Sequence, residues 1–172
     1  MEWTGAKYAD GPTAQADIWI DAAPEAVWAL VSDIALMPQL SAELQSAHWV
    51  SPDTPPGVGS AFVGNSRHEA LGEWSTTSHV VEWNPPHAFA WAVNDPETPS
   101  ATWRFTLEDA DGGTALRQWV RMGPGRSGLS FAIEAMPDKE EKIVFVRMRE
   151  FEAGMQNVVA EIKRRAESAG DR

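Results

Sequence analysis

The amino-acid sequence predicts an α+β fold in which a seven-stranded antiparallel sheet is wrapped around one long C-terminal helix. Three observations carry that expectation. Between residues 44 and 122, six segments with strand character follow one another, separated by turn residues at roughly ten-residue spacing. A seventh strand precedes them, joined by two short helices. The chain then closes with an apolar stripe of roughly 30 residues, about 45 Å at 1.5 Å per residue, long enough to cross such a sheet.

Each element has a local reason. Residues 1–13 carry Gly5, Gly11 and Pro12 without any period and read as a loose lead-in. In Ala14–Asp21, Ala16, Ile18 and Ile20 alternate with mostly polar residues, as in a half-buried strand, with Trp19 on the polar side. Pro24-Glu25 suits a helix start, and Val27, Leu30, Val31 and Ile34 recur at steps of three and four. This helix should break near Ser32-Asp33, restart through Leu36 and end before Pro38. Strands are expected at 44–50, 60–68, 73–83, 87–93, 101–109 and 114–122, and Asp111-Gly112-Gly113 marks a tight hairpin. A mixed segment, Leu129 to Met136, leads to Pro137, after which Asp138 and Glu141 look like an N-cap and capping-box pair. The final helix should run from Lys139 to Ser168, its stripe made of Val144, Met148, Phe151, Met155, Val158, Val159 and Ile162. The whole is one domain over 14–168, with a tail at 169–172.

Composition narrows the function classes. In 172 residues, 43% are apolar and 23% charged, the balance of a folded globular chain. No apolar run approaches the roughly 20 residues of a membrane span. A net charge of −11 repels nucleic acid and anionic lipid, and Lys163-Arg164-Arg165 is only a short basic patch. The absence of Cys excludes disulfides, zinc-thiolate sites and thiol nucleophiles, and with a start lacking secretory features it points to the cytoplasm. The four His residues form no local ligand pair, and there is no nucleophile elbow, phosphate loop or dinucleotide fingerprint, so neither metal nor cofactor is expected. Nine Trp against one Tyr and six Phe is a heavy indole load, which an ordinary core explains more simply than an aromatic-ligand site.

The element order, with Ile20-Asp21-Ala22-Ala23-Pro24-Glu25-Ala26-Val27-Trp28 at its start, resembles the START-like or SRPBCC superfamily over residues 14–168. The chain looks most like its polyketide cyclase/dehydrase group, on Gly59–Arg67, Val81-Glu82-Trp83-Asn84-Pro85, Phe89-Ala90-Trp91, Ala101-Thr102-Trp103 and Gly113-Thr114. The resemblance implies a helix-grip (Bet v 1-like) fold and an internal cavity between sheet and final helix for a lipophilic or aromatic molecule. It specifies fold far better than chemistry. Ala23 departs from it, standing where the family often has a capping Ser or Thr.

Within that frame the inward sets of the last two strands are legible as Trp103, Phe105, Leu107 and Leu116, Gln118, Val120. Gln118 is the polar exception, held by internal partners or aimed at a ligand. Phe89 and Trp91 alternate likewise. On residues 60–68 the inward face is unsettled: Asn65 and Arg67 share one face and could donate to a ligand carbonyl or enolate, or be solvated. His79 is the default general base if chemistry occurs, though a lone strand His more often sits at the surface. The leading reading is a small-molecule binder using Asn65, Trp91, Trp103, Gln118, Phe151 and Met155. Its rivals are an aromatic polyketide cyclase/dehydratase with His79 and Arg67 as catalytic groups, and a protein-interaction module. Trp19 on an edge strand could seed a homodimer.

Overall fold

The computed structural model describes residues 1–170. Its strands are β1 (Thr13–Ile20), β2 (Leu44–Trp49), β3 (Ala61–His68), β4 (Gly72–Asn84), β5 (Ala88–Val93), β6 (Ala101–Ala110) and β7 (Gly113–Met122). The helices are α1 (Pro24–Val31), α2 (Met37–Leu40), α3 (Gly128–Ala135) and α4 (Glu140–Gly170). All seven strands join one antiparallel sheet in the order β1-β7-β6-β5-β4-β3-β2. From β2 to β7 the chain is a meander, while α1 and α2 carry it from one edge of the sheet to the other. This is the expected helix-grip arrangement. The chain closes the β6–β7 hairpin through Asp111 and Gly112, both at positive φ (50° and 79°), as a primed two-residue turn requires.

The long helix lies chiefly over β1 and β7, and the core fills the space between them. Ile20, Leu107, Leu116, Val120, Val144, Met155 and Ile162 are fully buried there, so the apolar stripe of α4 faces the sheet. Two bulges interrupt the sheet's alternation. The one in β4, between Val80 and Glu82, leaves Val81 exposed and puts Val80 and Trp83 on the same concave face.

Five local expectations need correction. Pro38 does not end a helix; it sits in the first turn of α2, where no backbone N–H is required. The segment after residue 127 is helical: Ser127 Oγ accepts from Leu129 N at 3.2 Å, and Ser130 Oγ accepts from Ser127 N at 3.1 Å. Pro137–Lys139 forms a 3-10 turn, so Asp138 lies inside that turn and α4 begins at Glu140. The lead-in is tied down. Trp3 packs edge-on against Phe145 at 5.0 Å, the Met1 ammonium meets Glu152 at 3.1 Å, and Tyr8 Oη donates to the Gly125 carbonyl at 2.5 Å. Of the expected tail, residues 169 and 170 extend α4, while 171–172 lie outside the described residues.

Candidate ligand-binding site

Away from β1 and β7, the concave face is aromatic. Strand register lines Trp83, Phe89 and Phe105 across β4, β5 and β6, and sets Trp91 beside Trp103. From α1, the row runs Trp28 to Trp83 (5.2 Å between centroids), Trp83 to Trp49 (6.3 Å), Trp49 to Phe62 (5.6 Å) and Phe62 to Trp91 (5.9 Å). Trp91 then stacks on Trp103 at 6.4 Å with planes 14° apart, and Trp103 meets Phe151 of α4 edge-on at 5.1 Å. Trp28, Trp49, Trp83, Trp103 and Phe151 are only half-buried. For Trp103, in mid-sheet and pointing inward, the exposed part can only face the cleft beneath the sheet.

One polar group breaks the apolar interior. Gln118 of β7 is 6% exposed and stands between Ala16 of β1 and Phe105 of β6, and its buried Oε1 has no hydrogen-bond partner among the described residues.

A charged cluster borders the aromatic row. Arg147 of α4 lays its guanidinium over the Phe151 ring, 4.5 Å from the centroid. It donates to both carboxylate oxygens of Glu43 (2.6 and 2.9 Å) and to Glu150 Oε2 (2.8 Å). Burial alone would pull its pKa down, but the bonds it donates to Glu43 and then Glu150 outweigh burial and hold it above the usual arginine value. His68, at the end of β3, places Nε2 3.3 Å from Glu150 Oε2 and accepts from Ala70 N through Nδ1 at 3.0 Å. A backbone N–H only donates, so the hydrogen bonds assign the neutral ring's proton to Nε2, facing Glu150. Both ring nitrogens are then engaged. Donor atoms of Glu43, His68 and Glu150 lie within 4.8 Å of one another, but the Arg147 guanidinium already satisfies both carboxylates.

Of the residues singled out from sequence, Trp91, Trp103, Gln118, Phe151 and Met155 come together on the concave side. His79, Arg67 and Asn65 do not. The inward set of β3 is Phe62, Gly64, Ser66 and His68, which leaves Asn65 and Arg67 exposed on the convex face. There Asn65 Nδ2 donates to Ser46 Oγ at 2.8 Å, and Arg67 stands opposite Glu73. His79, level with Ala61 and Ala92, is also convex. The general-base role expected of His79 and the substrate-donor roles of Arg67 and Asn65 therefore have no geometric footing. Glu43, His68, Arg147 and Glu150 escaped the sequence reading, although Arg147 falls on the α4 stripe three residues after Val144 and four before Phe151.

The expected internal cavity also needs revision. Two depressions of about 440 Å³ each stand out, one lined by Glu82, His87 and Arg104, the other by Asp17, Trp19 and Arg117. Both lie on the convex face. Under the sheet the packed aromatic row occupies the interior, and its half-buried rings mark where that interior meets solvent. Trp19 is 42% exposed on that convex face, with its indole N–H donated to the Ala110 carbonyl at 2.8 Å and Lys163 Nζ 5.4 Å from the ring centroid.

Comparison with known proteins places this geometry. The family model described as "Polyketide cyclase / dehydrase and lipid transport" matches residues 12–164. A polyketide-cyclase-like protein from Corynebacterium glutamicum, solved in solution, is 28% identical over 90% of this chain and 91% of its own, with a TM-score of 0.64. The Zhui aromatase/cyclase from Streptomyces sp. R1128 shares the fold at 13% identity (92% and 98% coverage, TM-score 0.67). So does Ara h 8.0201 at 14% identity (87% and 98% coverage, TM-score 0.53). No curated protein matches the sequence.

Proposed function

Because the chain belongs to the polyketide cyclase/dehydrase and lipid-transport family, we propose that it binds a small lipophilic or aromatic molecule in the cleft between its sheet and α4. The observation that carries this reading is the row of half-buried rings, Trp28, Trp83, Trp49, Trp103 and Phe151, on the concave face. Rings left part-solvated on an inward face gain by covering their remaining apolar surface, and a flat apolar ligand does that through offset or edge-on contacts. Buried Trp91 backs them, and buried Met155 completes the interior.

Cyclisation or dehydration in the same cleft has less support. Aldol closure needs a base with a free lone pair, and His79 is convex while both nitrogens of His68 are engaged. Glu43 and Glu150 are held by Arg147. An interaction module built on Trp19 has its indole N–H already spent within the chain.

Titration with N-phenylnaphthylamine, a neutral probe that brightens in apolar surroundings, tests the binding reading. Saturable enhancement with quenching of Trp emission, and a melting temperature rising with probe concentration, is expected. Trp103→Ala should weaken that binding. No saturable signal and no thermal shift from the folded protein would overturn it.

A further inference from the structure

We infer that Gln118 selects a ligand bearing a hydroxyl group, by accepting a hydrogen bond from it through Oε1 at the inner end of the cleft. This rests on the binding reading above and narrows it. A buried carbonyl oxygen without a donor is a standing cost, and it persists where something outside the fold satisfies it. Among the described residues no donor is bonded to Gln118 Oε1. Across the strands Gln118 is level with Ala16 and Phe105, and its inward neighbours along β7 are Leu116 and Val120, all apolar. Backbone N–H groups of these strands are committed to the sheet ladder.

The position also borders the aromatic row. Trp103 is level with Val120, so Gln118 is its diagonal neighbour on the same concave face, about 7–8 Å away along the pleat. Phe105, level with Gln118, lies 6.0 Å from Trp91, so the amide stands at the edge of the ring cluster. A bicyclic aromatic against Trp103 is long enough to span that distance, and a hydroxyl on its leading edge would meet Oε1 once the surrounding rings part, since Oε1 is closed to water in the unliganded protein. Since Oε1 only accepts, the ligand must donate. Ala16 sets only a methyl group beside the amide on the β1 side.

Calorimetric titration of the folded protein with β-naphthol and with naphthalene tests this. A wholly apolar cleft favours naphthalene, because the hydroxyl loses its water without replacement. Wild type should instead prefer β-naphthol by roughly tenfold, the effect of one hydrogen bond to a buried acceptor. Gln118→Leu should lose that preference and favour naphthalene, with naphthalene affinity retained. Gln118→Met, closer in shape, guards against misfolding of the first variant. Naphthalene binding with no naphthol preference, or a preference that survives both substitutions, overturns the inference. Failure of both compounds to bind wild type overturns instead the cleft-binding reading beneath it.

Discussion

Phe151 of α4 meets the Trp103 indole of β6 edge-on at 71°, and the same ring carries the Arg147 guanidinium over its face. Through this residue the long helix joins both the aromatic row and the charged cluster. Phe151 is only half-buried, whereas Met155, one turn on, is 1% exposed. Phe151→Ala should therefore cost about 2 kcal/mol, below the ~3–5 kcal/mol of a fully buried Phe, while Met155→Ala should cost about 3 kcal/mol. Urea unfolding of the two variants checks the order. A greater loss at Phe151 would mean that the cleft wall carries more of the stability than its exposure implies.

Arg147 is nine-tenths buried, and its two carboxylate partners keep side-chain exposures of 32% (Glu43) and 37% (Glu150). Removing the guanidinium leaves both acids with partial access to water. Arg147→Met should thus cost about 2 kcal/mol, short of the ~3–5 kcal/mol seen when a fully buried pair is broken. Adding Glu43→Gln should restore part of that loss, because an uncompensated charge goes with it. A double-mutant cycle by chemical denaturation reads the coupling, and strict additivity would show that Glu43 and Arg147 do not act on each other.

The strands that were legible in sequence are those with chemical contrast between faces. On β6 and β7 the inward residues are large and apolar, with Gln118 the exception, so period two sufficed to place Trp103, Phe105 and Gln118. On β3 the two faces, Phe62-Gly64-Ser66-His68 and Val63-Asn65-Arg67, differ little in polarity, so nothing in the local pattern says which faces the helix. The bulge at Val81 has no sequence mark, yet it shifts the alternation of β4 and turns Trp83 inward. The charged cluster was the hardest to see, since it joins Glu43 to Arg147 across 104 positions of sequence. Arg147 on an apolar stripe was the one available signal, and reading it requires knowing that a carboxylate waits across the cleft.

Acid should expose one ion-pair network on α4. Glu161 accepts hydrogen bonds from Arg164 and Arg165, which hold its carboxyl at about 2 against an ordinary value of 4.5. A carboxylate with a depressed folded pKa contributes stability that is fully present above its unfolded value and fades as pH falls through the folded one. The stability gap between wild type and Glu161→Gln should accordingly close between pH 4.5 and about 2. Parallel thermal melts across that range, at low salt, give the measurement. A gap that stays constant would mean that the pairing does not distinguish folded from unfolded chain.

The β6–β7 turn contains two glycines required for different reasons, and substitution should separate them. Gly112 has a φ of 79° with open space around it, so Gly112→Ala strains only the backbone and should cost about 1 kcal/mol. Gly113 has no such φ, but a Cβ there would run into the Ile20 carbonyl of β1 and lie 2.8 Å from Cζ2 of Trp19. Neither neighbour is free to yield, since the Ile20 carbonyl is backbone and the Trp19 indole is fixed by its bond to Ala110. Gly113→Ala must then push β1 away from β7, at a cost of about 3 kcal/mol. The same strand pair sets Ala16 beside Gln118, so the displacement reaches the inner end of the cleft. Amide exchange should quicken along β1 in Gly113→Ala and not in Gly112→Ala. Equal destabilisation by the two, with β1 protected in both, would show that turn conformation and not the close approach of β1 makes glycine necessary at Gly113.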